Sequence, residues 1–278
     1  MSDPKLYIIA TPLGNRDDIT LRALGLLKEL GDFFVEDSRE FSKLLDLYGI
    51  SSHGKNIRSY ASHNMKEATE RALEELRAGK SVGFASDRGT PCVSDPGALL
   101  VRHARREGFS VVPVPGASSV TSLMSVSGFS ADRFVFVGFV PTASGEREEL
   151  WKFAETCPFP LCFFESPKRV RKTAEDLKSR FPDRELFFGR EMTKLFESFG
   201  GGLLRDLEPG ELMEKGEYAL ALGAPEEKQV VAADWGSEID VRLGSDKAWS
   251  KHIAERYGIS ATEVYNALQL RKREGTES

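Results

Sequence analysis

Cysteine is scarce in this chain. Cys92, Cys157 and Cys162 are an odd number, at spacings that suit neither a disulfide framework nor a zinc site, so reduced thiols in core or loop are expected. No apolar run reaches the eighteen or so residues of a membrane-spanning helix. The start, Met1-Ser2-Asp3-Pro4-Lys5, lacks the basic stretch and apolar core of an export signal, which makes the cytoplasm the expected location and no membrane the expected partner. Excess positive charge is missing too. Against 43 acidic residues stand 38 Lys and Arg, a net charge of −5, which speaks against a protein that coats nucleic acid non-specifically but leaves room for a local basic face. His53, His63, His103 and His252 are scattered, none at ligand spacing to another metal-binding residue, so no metal is expected. No G-x-G-x-x-G follows the first strand-like run. The segment Gly49–Lys55 has the glycine and lysine spacing of a phosphate-binding loop, yet Asn56 replaces the required hydroxyl and a helix precedes it; chance spacing is the reading. Internal repeats and low-complexity tracts are absent.

What is present is an alternation of strand-like and helical stretches. With 278 residues, 40% hydrophobic and 29% charged, the chain can bury a full core and is longer than a usual single domain. Strands are expected at Lys5–Ala10, Asp32–Val35, Ser81–Ala85 and Ser110–Val112. Between them, helices are expected at Thr20–Leu30 (Leu21, Leu24, Leu27 and Lys28 at helical spacing), Phe41–Tyr48, Met65–Ala78 and Pro96–Glu107. That pattern defines an α/β, doubly wound first half with a mostly parallel sheet. A second set follows from Phe134: strands at Phe134–Phe139, Leu161–Phe164, Glu185–Gly189 and Tyr218–Leu222, helices at Glu146–Glu155 and Lys168–Arg180, with turns at Gly200-Gly201-Gly202 and Pro209-Gly210. The expected division is an N-terminal α/β domain over residues 1–127, a second α/β domain with a mixed sheet over 128–224, and a linker with a small helical extension over 225–278. Two helices, Lys247–Arg256 and Ser260–Arg271, fill that extension.

Polar loops directly after strands are where open α/β sheets bind ligands. Three stand out in the first half: Thr11–Asn15, Ser86–Gly97 with Asp87 and Asp95 flanking Gly89 and Pro91, and Pro113–Ser119. Further clusters mixing acids and bases lie at Glu36–Arg39, Glu165–Arg169 and Arg190–Lys194, with a polar one at Ser59–Asn64. Each alone reads equally well as helix capping plus solvated ion pairs. Together they suit a substrate that carries hydroxyls and phosphates.

In that order, Thr11–Asn15 continuing into Asp18–Leu24, Glu36–Arg39, Ser86–Gly97, Pro113–Ser119, Glu165–Arg169, Arg190–Lys194 and Lys215–Tyr218 resemble the ribosomal small-subunit methyltransferase I family, of the tetrapyrrole-methylase fold. The resemblance runs from about Lys5 to Gly223 and implies an S-adenosylmethionine-dependent enzyme. Its implied reaction is methylation of the ribose 2′-hydroxyl of a cytidine in the decoding region of 16S rRNA, with the small ribosomal subunit as partner and a homodimer as the working form. Carried over by position, it places Pro12, Leu13, Asp87, Gly89, Thr90, Ala117, Ser118 and Ser119 at the cofactor, with Phe164 and Met192 as further contacts from the second domain. The chain departs from the family where Arg88 follows Asp87 in place of alanine. Transfer to a hydroxyl needs a proton acceptor and groups that steady phosphate or developing oxyanion charge. Glu36, Asp37 and Glu191 are the candidates for the first role; Arg39, Arg190 and Lys194 are those for the second.

Between Arg242 and Arg273, Arg242, Lys247, Lys251, Arg256, Arg271, Lys272 and Arg273 outnumber the acids Asp246, Glu255 and Glu263, a local excess that suits RNA backbone. Trp249, Ile253, Tyr257 and Val264 are expected to form the buried face of the helical pair. Two alternative functions are a small-molecule methyltransferase of the tetrapyrrole type and a non-catalytic RNA-binding assembly factor.

Overall fold

The helical stretches between the first strands are long enough to cross back over a sheet, which makes parallel neighbours of the strands they join. Accordingly β1 (Lys5–Ile9), β2 (Asp32–Val35), β3 (Asn56–Ser59), β4 (Val82–Ala85) and β5 (Ser110–Val114) form one sheet in the order β3-β2-β4-β1-β5. Every pairing in it is parallel. The computed structural model describes residues 3–225, 245–257 and 260–274. These belong to two compact units, Met1–Pro225 and Glu226–Ser278.

Side chains alternate across the first sheet and fill both faces. Leu6, Phe34, Val82 and Phe84 pack with α3 (Met65–Arg77) and α4 (Ala98–Arg106), while Ile9, Phe33 and Val35 pack with α1 (Leu21–Glu29) and α2 (Ser38–Leu47). The Thr20 hydroxyl accepts the Ala23 N–H at 3.2 Å and starts α1. Leu21, placed inward by its spacing, is instead 88% exposed, and Ala23 and Leu27 supply the buried stripe. Asp37 accepts the Arg39 N–H at 2.8 Å, so α2 begins at Ser38, ahead of its apolar spacing.

The segment after β5 forms α5 (Ser119–Val126), an element that had no expectation attached. Beyond it lies a mixed sheet of β6 (Val135–Phe139), β7 (Leu161–Glu165), β8 (Glu185–Arg190), β9 (Ser198–Leu203) and β10 (Tyr218–Leu222), ordered β6-β7-β10-β8-β9. Its β6-β7 pair is parallel and the other pairs are antiparallel. One face packs under α6 (Ser144–Thr156) and α7 (Val170–Arg180) through Trp151, Ala154, Val170 and Leu177. Against the other face lies α5, whose Val120, Leu123 and Met124 meet Cys162, Met192, Ala219 and Ala221. That apolar contact fastens the two sheets together.

Gly200-Gly201-Gly202 is not a turn, contrary to expectation, but the middle of edge strand β9. A Cβ on Gly201 would lie 2.2 Å from the Leu186 carbonyl oxygen, so glycine serves close approach of β9 to β8. Strand β3, short and largely polar, was also unanticipated.

The Glu165–Arg169 cluster is an anchor for the start of α7. Glu165, 2% exposed, accepts the Ser166 N–H and the Thr173 hydroxyl at 2.6 Å each and pairs with Arg169 at 2.6 Å. Glu165→Ala removes the acceptor and leaves its donors unmatched in a buried setting, so a loss of about 3 kcal/mol is expected from urea unfolding midpoints. A loss within ordinary surface values would show that the cluster is not structural.

In the smaller unit, α8 (Asp246–Tyr257) and α9 (Ala261–Glu274) pair through Trp249, Ile253, Val264 and Leu268. The expected face forms at Trp249, Ile253 and Val264. Arg242 and the side chains of Tyr257, Arg271, Lys272 and Arg273 lie outside the described residues. Among the described residues no helix is long and apolar enough to cross a membrane, and no group of three His, Cys, Asp or Glu is placed to hold a metal.

Candidate active site

Sheet order decides which loops meet. Strand β1 lies between β4 and β5, so the loops that leave these three parallel strands emerge side by side at their carboxyl ends. Thr11 N–H donates to Gly89 O at 2.9 Å, and Gly89 N–H donates back to Thr11 O at 3.0 Å. The Thr90 hydroxyl donates to Ala117 O at 3.0 Å. Pro12 is buried, and Leu13 leans over Gly89 so closely that a Cβ there would lie 3.1 Å from Leu13 Cδ2. Gly89 has φ +74°, a conformation that glycine adopts without strain. Ser118 occupies the N-cap position of α5 with no side-chain bond into the helix, and Ser119 is the helix's first residue. Pro12, Leu13, Gly89, Thr90 and Ala117–Ser119 thus converge as a group.

Strand β2 neighbours β4, which sets Glu36 and Asp37 beside Asp87. Asp87 N–H donates to Glu36 Oε2 at 3.2 Å, and Asp37 N–H donates to Asp87 Oδ1 at 3.0 Å. Burial, and then the Glu36 charge, push the Asp87 carboxyl above the usual range. Asp37 goes the other way: side-chain and backbone hydrogen bonds from Arg39 hold it well below that range. It is therefore a cap and ion-pair partner, poorly suited to accept a proton. Arg39 in turn forks onto Asp37 at 2.7 and 3.2 Å, which leaves its guanidinium already engaged.

Asp95, on the same loop as Asp87, flanks the candidate site in sequence without belonging to the residues expected there. Burial pushes its carboxyl up to about 6, against the opposing effect of a Ser86 hydrogen bond. Because the folded state holds this proton more tightly than the unfolded one, stability from it is present at low pH and is lost as pH rises from about 4 through about 6. Asp95→Asn abolishes that loss. Its melting temperature should match the parent near pH 4 and exceed it at pH 7 to 8; equal melting temperatures at both would contradict the burial.

The second sheet contributes through the turn after β8. Glu191 and Thr193 have φ +51° and +64°, left-handed conformations that reverse the chain and carry Lys194 back over the first loop. A Cβ on Gly14 would lie 2.2 Å from Lys194 Cγ, and Asn15 N–H donates to Thr193 Oγ1 at 3.0 Å. Lys194 Nζ donates to Glu191 Oε1 at 2.9 Å and Glu217 Oε2 at 2.8 Å; Arg88 reaches the other Glu217 oxygen at 2.8 Å. The departure at Arg88 is thereby accounted for as a tie between the second loop and the Glu217 segment. Burial alone would raise Glu191, but the Lys194 ammonium and the Glu217 N–H outweigh it and lower its pKa. Glu191 is an ion-pair member rather than a ready proton acceptor. Arg190 is turned inward, donating to the carbonyls of Lys215 at 3.0 Å and Phe196 at 3.1 Å. It braces the turn and has no free fork for phosphate. Met192 and Phe164 lie in the apolar contact beneath α5, the helix that begins where the third loop ends.

The profile of the family described as Tetrapyrrole (Corrin/Porphyrin) Methylases matches residues 5–208. Solved structures of the same fold include the methyltransferase CobJ, with TM-score 0.62 and 17% identity over 80% of this chain and 95% of that one. Uroporphyrin-III C-methyl transferase from Thermus thermophilus complexed with S-adenyl homocysteine superposes with TM-score 0.55 and 22% identity, over 79% of this chain and 97% of that one. Fold and profile agree on a methyltransferase of the tetrapyrrole-methylase class. Sequence relatives are more specific. Ribosomal RNA small subunit methyltransferase I of Neisseria meningitidis serogroup B is 43% identical over 203 residues, 73% of this chain and 69% of the relative. Its namesakes in Mesorhizobium japonicum and Pseudomonas aeruginosa are 39% and 35% identical, covering 91% and 97% of this chain and 86% and 98% of their own lengths. The chain belongs to the ribosomal RNA small subunit methyltransferase I family.

Proposed function

We propose that this protein transfers a methyl group from S-adenosylmethionine to the ribose 2′-hydroxyl of a cytidine in the decoding region of 16S rRNA, acting in the cytoplasm as a homodimer. The observation that carries the reading is the reciprocal Thr11–Gly89 hydrogen-bond pair, extended by Thr90 to Ala117, which gathers three strand-end loops into one cradle. The residues fit the cofactor's chemistry. Bare backbone at Gly89, the hydroxyls of Ser118 and Ser119 and the Asp87 carboxylate match a ligand with an amino-acid end, a ribose and an adenine. When bound, the cofactor supplies a methyl group made electrophilic by its sulfonium.

The chain's own task is to hold the acceptor hydroxyl in line and take its proton. Alignment alone removes several kcal/mol from such a barrier. Of the acids gathered here, Glu36, Asp87 and Asp95 have no ion-pair partner among the described residues. With Asp87 committed to the cofactor in this reading, the proton acceptor is assigned to Glu36 or Asp95, and burial shifts the Asp95 carboxyl toward neutral pH. Lys194 Nζ, already shared by Glu191 and Glu217, has a third hydrogen to offer beside the first loop to a substrate phosphate or to oxyanion charge. Within this reading, residues 1–127 supply most of the cofactor cradle, residues 128–224 complete it, and the extension from 225 contributes basic residues to RNA.

The test is incubation of the protein with labelled cofactor and small subunits from cells that lack it, followed by mapping of alkali-resistant ribose methylation. Label on a single cytidine ribose supports the proposal; label on a base overturns its chemistry.

A further inference from the structure

An open depression of about 520 Å³ lies along α4, lined by Cys92, Ala98, Val101, Arg102, Arg105 and Arg106. Throughout residues 3–225 every other arginine has an ion-pair, hydrogen-bond or ring partner, including the exposed Arg16, Arg71, Arg77 and Arg205 and the ring-stacked Arg133. The rest are engaged likewise. Arg102, Arg105 and Arg106 have none among the described residues, although all three are exposed. The nearest acid in sequence does not neutralise them, because Glu107 is bound by Arg77 through two hydrogen bonds at 2.8 and 2.6 Å.

Their spacing is informative. Residues three and four apart share one helix face, so Arg102 stands beside Arg105 and Arg106 on a surface about 6 Å long. Neighbouring phosphates of one nucleic-acid strand have a comparable separation. A guanidinium presents a rigid fork of donors that matches phosphate oxygens, and an unpaired group of them is held at a cost in mutual repulsion. The loop Ser86–Gly97 borders both this depression, through Cys92, and the proposed cofactor cradle, through Asp87–Thr90.

We infer that the Arg102–Arg105–Arg106 face of α4 is a phosphate-backbone docking site for the RNA substrate, separate from the residues that handle the cofactor and the reacting ribose. This rests on the proposed RNA methyltransferase function. The site is sequence-blind: it positions the strand, while the loops at the strand ends select the nucleotide.

The test compares the parent with an Arg102→Ala/Arg105→Ala/Arg106→Ala variant and an Arg102→Lys/Arg105→Lys/Arg106→Lys variant, binding purified small ribosomal subunits over a range of salt. Each lost phosphate contact removes about 0.7 to 0.9 from the slope of log affinity against log salt. The alanine variant should bind at least about tenfold more weakly near physiological salt, with a slope shallower by about 2, and the lysine variant should recover most of both. Calorimetric affinity for S-adenosylmethionine should be unchanged in all three, which excludes misfolding. Unchanged subunit affinity and slope in the alanine variant would overturn the inference, including where that variant loses binding to an acidic protein instead. The outcome is distinguishable from failure of the function itself, which is read from where the parent's label lands and not from the salt slope.

Discussion

Gly89→Val should reduce S-adenosylmethionine affinity by roughly a hundredfold, about 3 kcal/mol, while the protein stays folded. Two effects add. At φ +74° a β-branched residue is strained by well over the 1 to 2 kcal/mol typical of an L-residue in the left-handed region. The new Cβ also begins 3.1 Å from Leu13 Cδ2, with the valine methyls reaching further into the same space. Relief of both is expected to break the reciprocal bonds between Gly89 and Thr11 and so to open the proposed cradle at its centre. Since the change lies beyond the strand ends, both sheets should survive, which circular dichroism would report. Titration calorimetry checks the affinity; a variant that binds like the parent would remove the second loop from the cofactor site.

Lys194→Met is the other substitution with a large consequence. Methionine keeps the apolar stem that crosses Gly14 and deletes only the ammonium that joins Glu191 to Glu217. Both carboxylates then lose their shared cation, the Glu191 pKa rises, and the cleft carries net negative charge where RNA must enter. Single-turnover methyl transfer should fall about a hundredfold or more, in line with losing one preorganised charged donor, with cofactor affinity changed far less. Equal losses in both quantities would mean that Lys194 holds the first loop in place and nothing else.

Much of this architecture was legible because hydrophobic period and loop chemistry agreed. The strands Lys5–Ile9, Asp32–Val35, Val82–Ala85 and Tyr218–Leu222 are short apolar runs bounded by polar turns, and they sit within a residue or two of expectation. Two signals misled for physical reasons. Glycines at 200–202 have the composition of a turn, yet here they permit an edge strand to approach its neighbour. Asn56–Ser59 is polar because it is itself the edge of the parallel sheet, where one flank needs no apolar cover.

The site was less legible than the fold. The polar loops after β1, β4 and β5 were recognisable in the sequence and the structure brings them together, whereas the surroundings of the charged residues depended on partners that are distant in sequence. Arg190 read as a free cation, but the carbonyls of Phe196 and Lys215 claim it, and no local pattern announces that. Nothing in the sequence marks the ion pairs that lower the Asp37 and Glu191 carboxyls, with Arg39 and Lys194 respectively. Asp95 shows the converse: only its burial, a property of the fold, marks it as an acid shifted toward neutrality.

A crystal of the protein grown with S-adenosylhomocysteine tests the central claim most directly. The account predicts the nucleoside and amino-acid ends of the ligand lodged against Leu13, Asp87–Thr90 and Ala117–Ser119. A ligand bound anywhere else, with those three loops untouched, would contradict it.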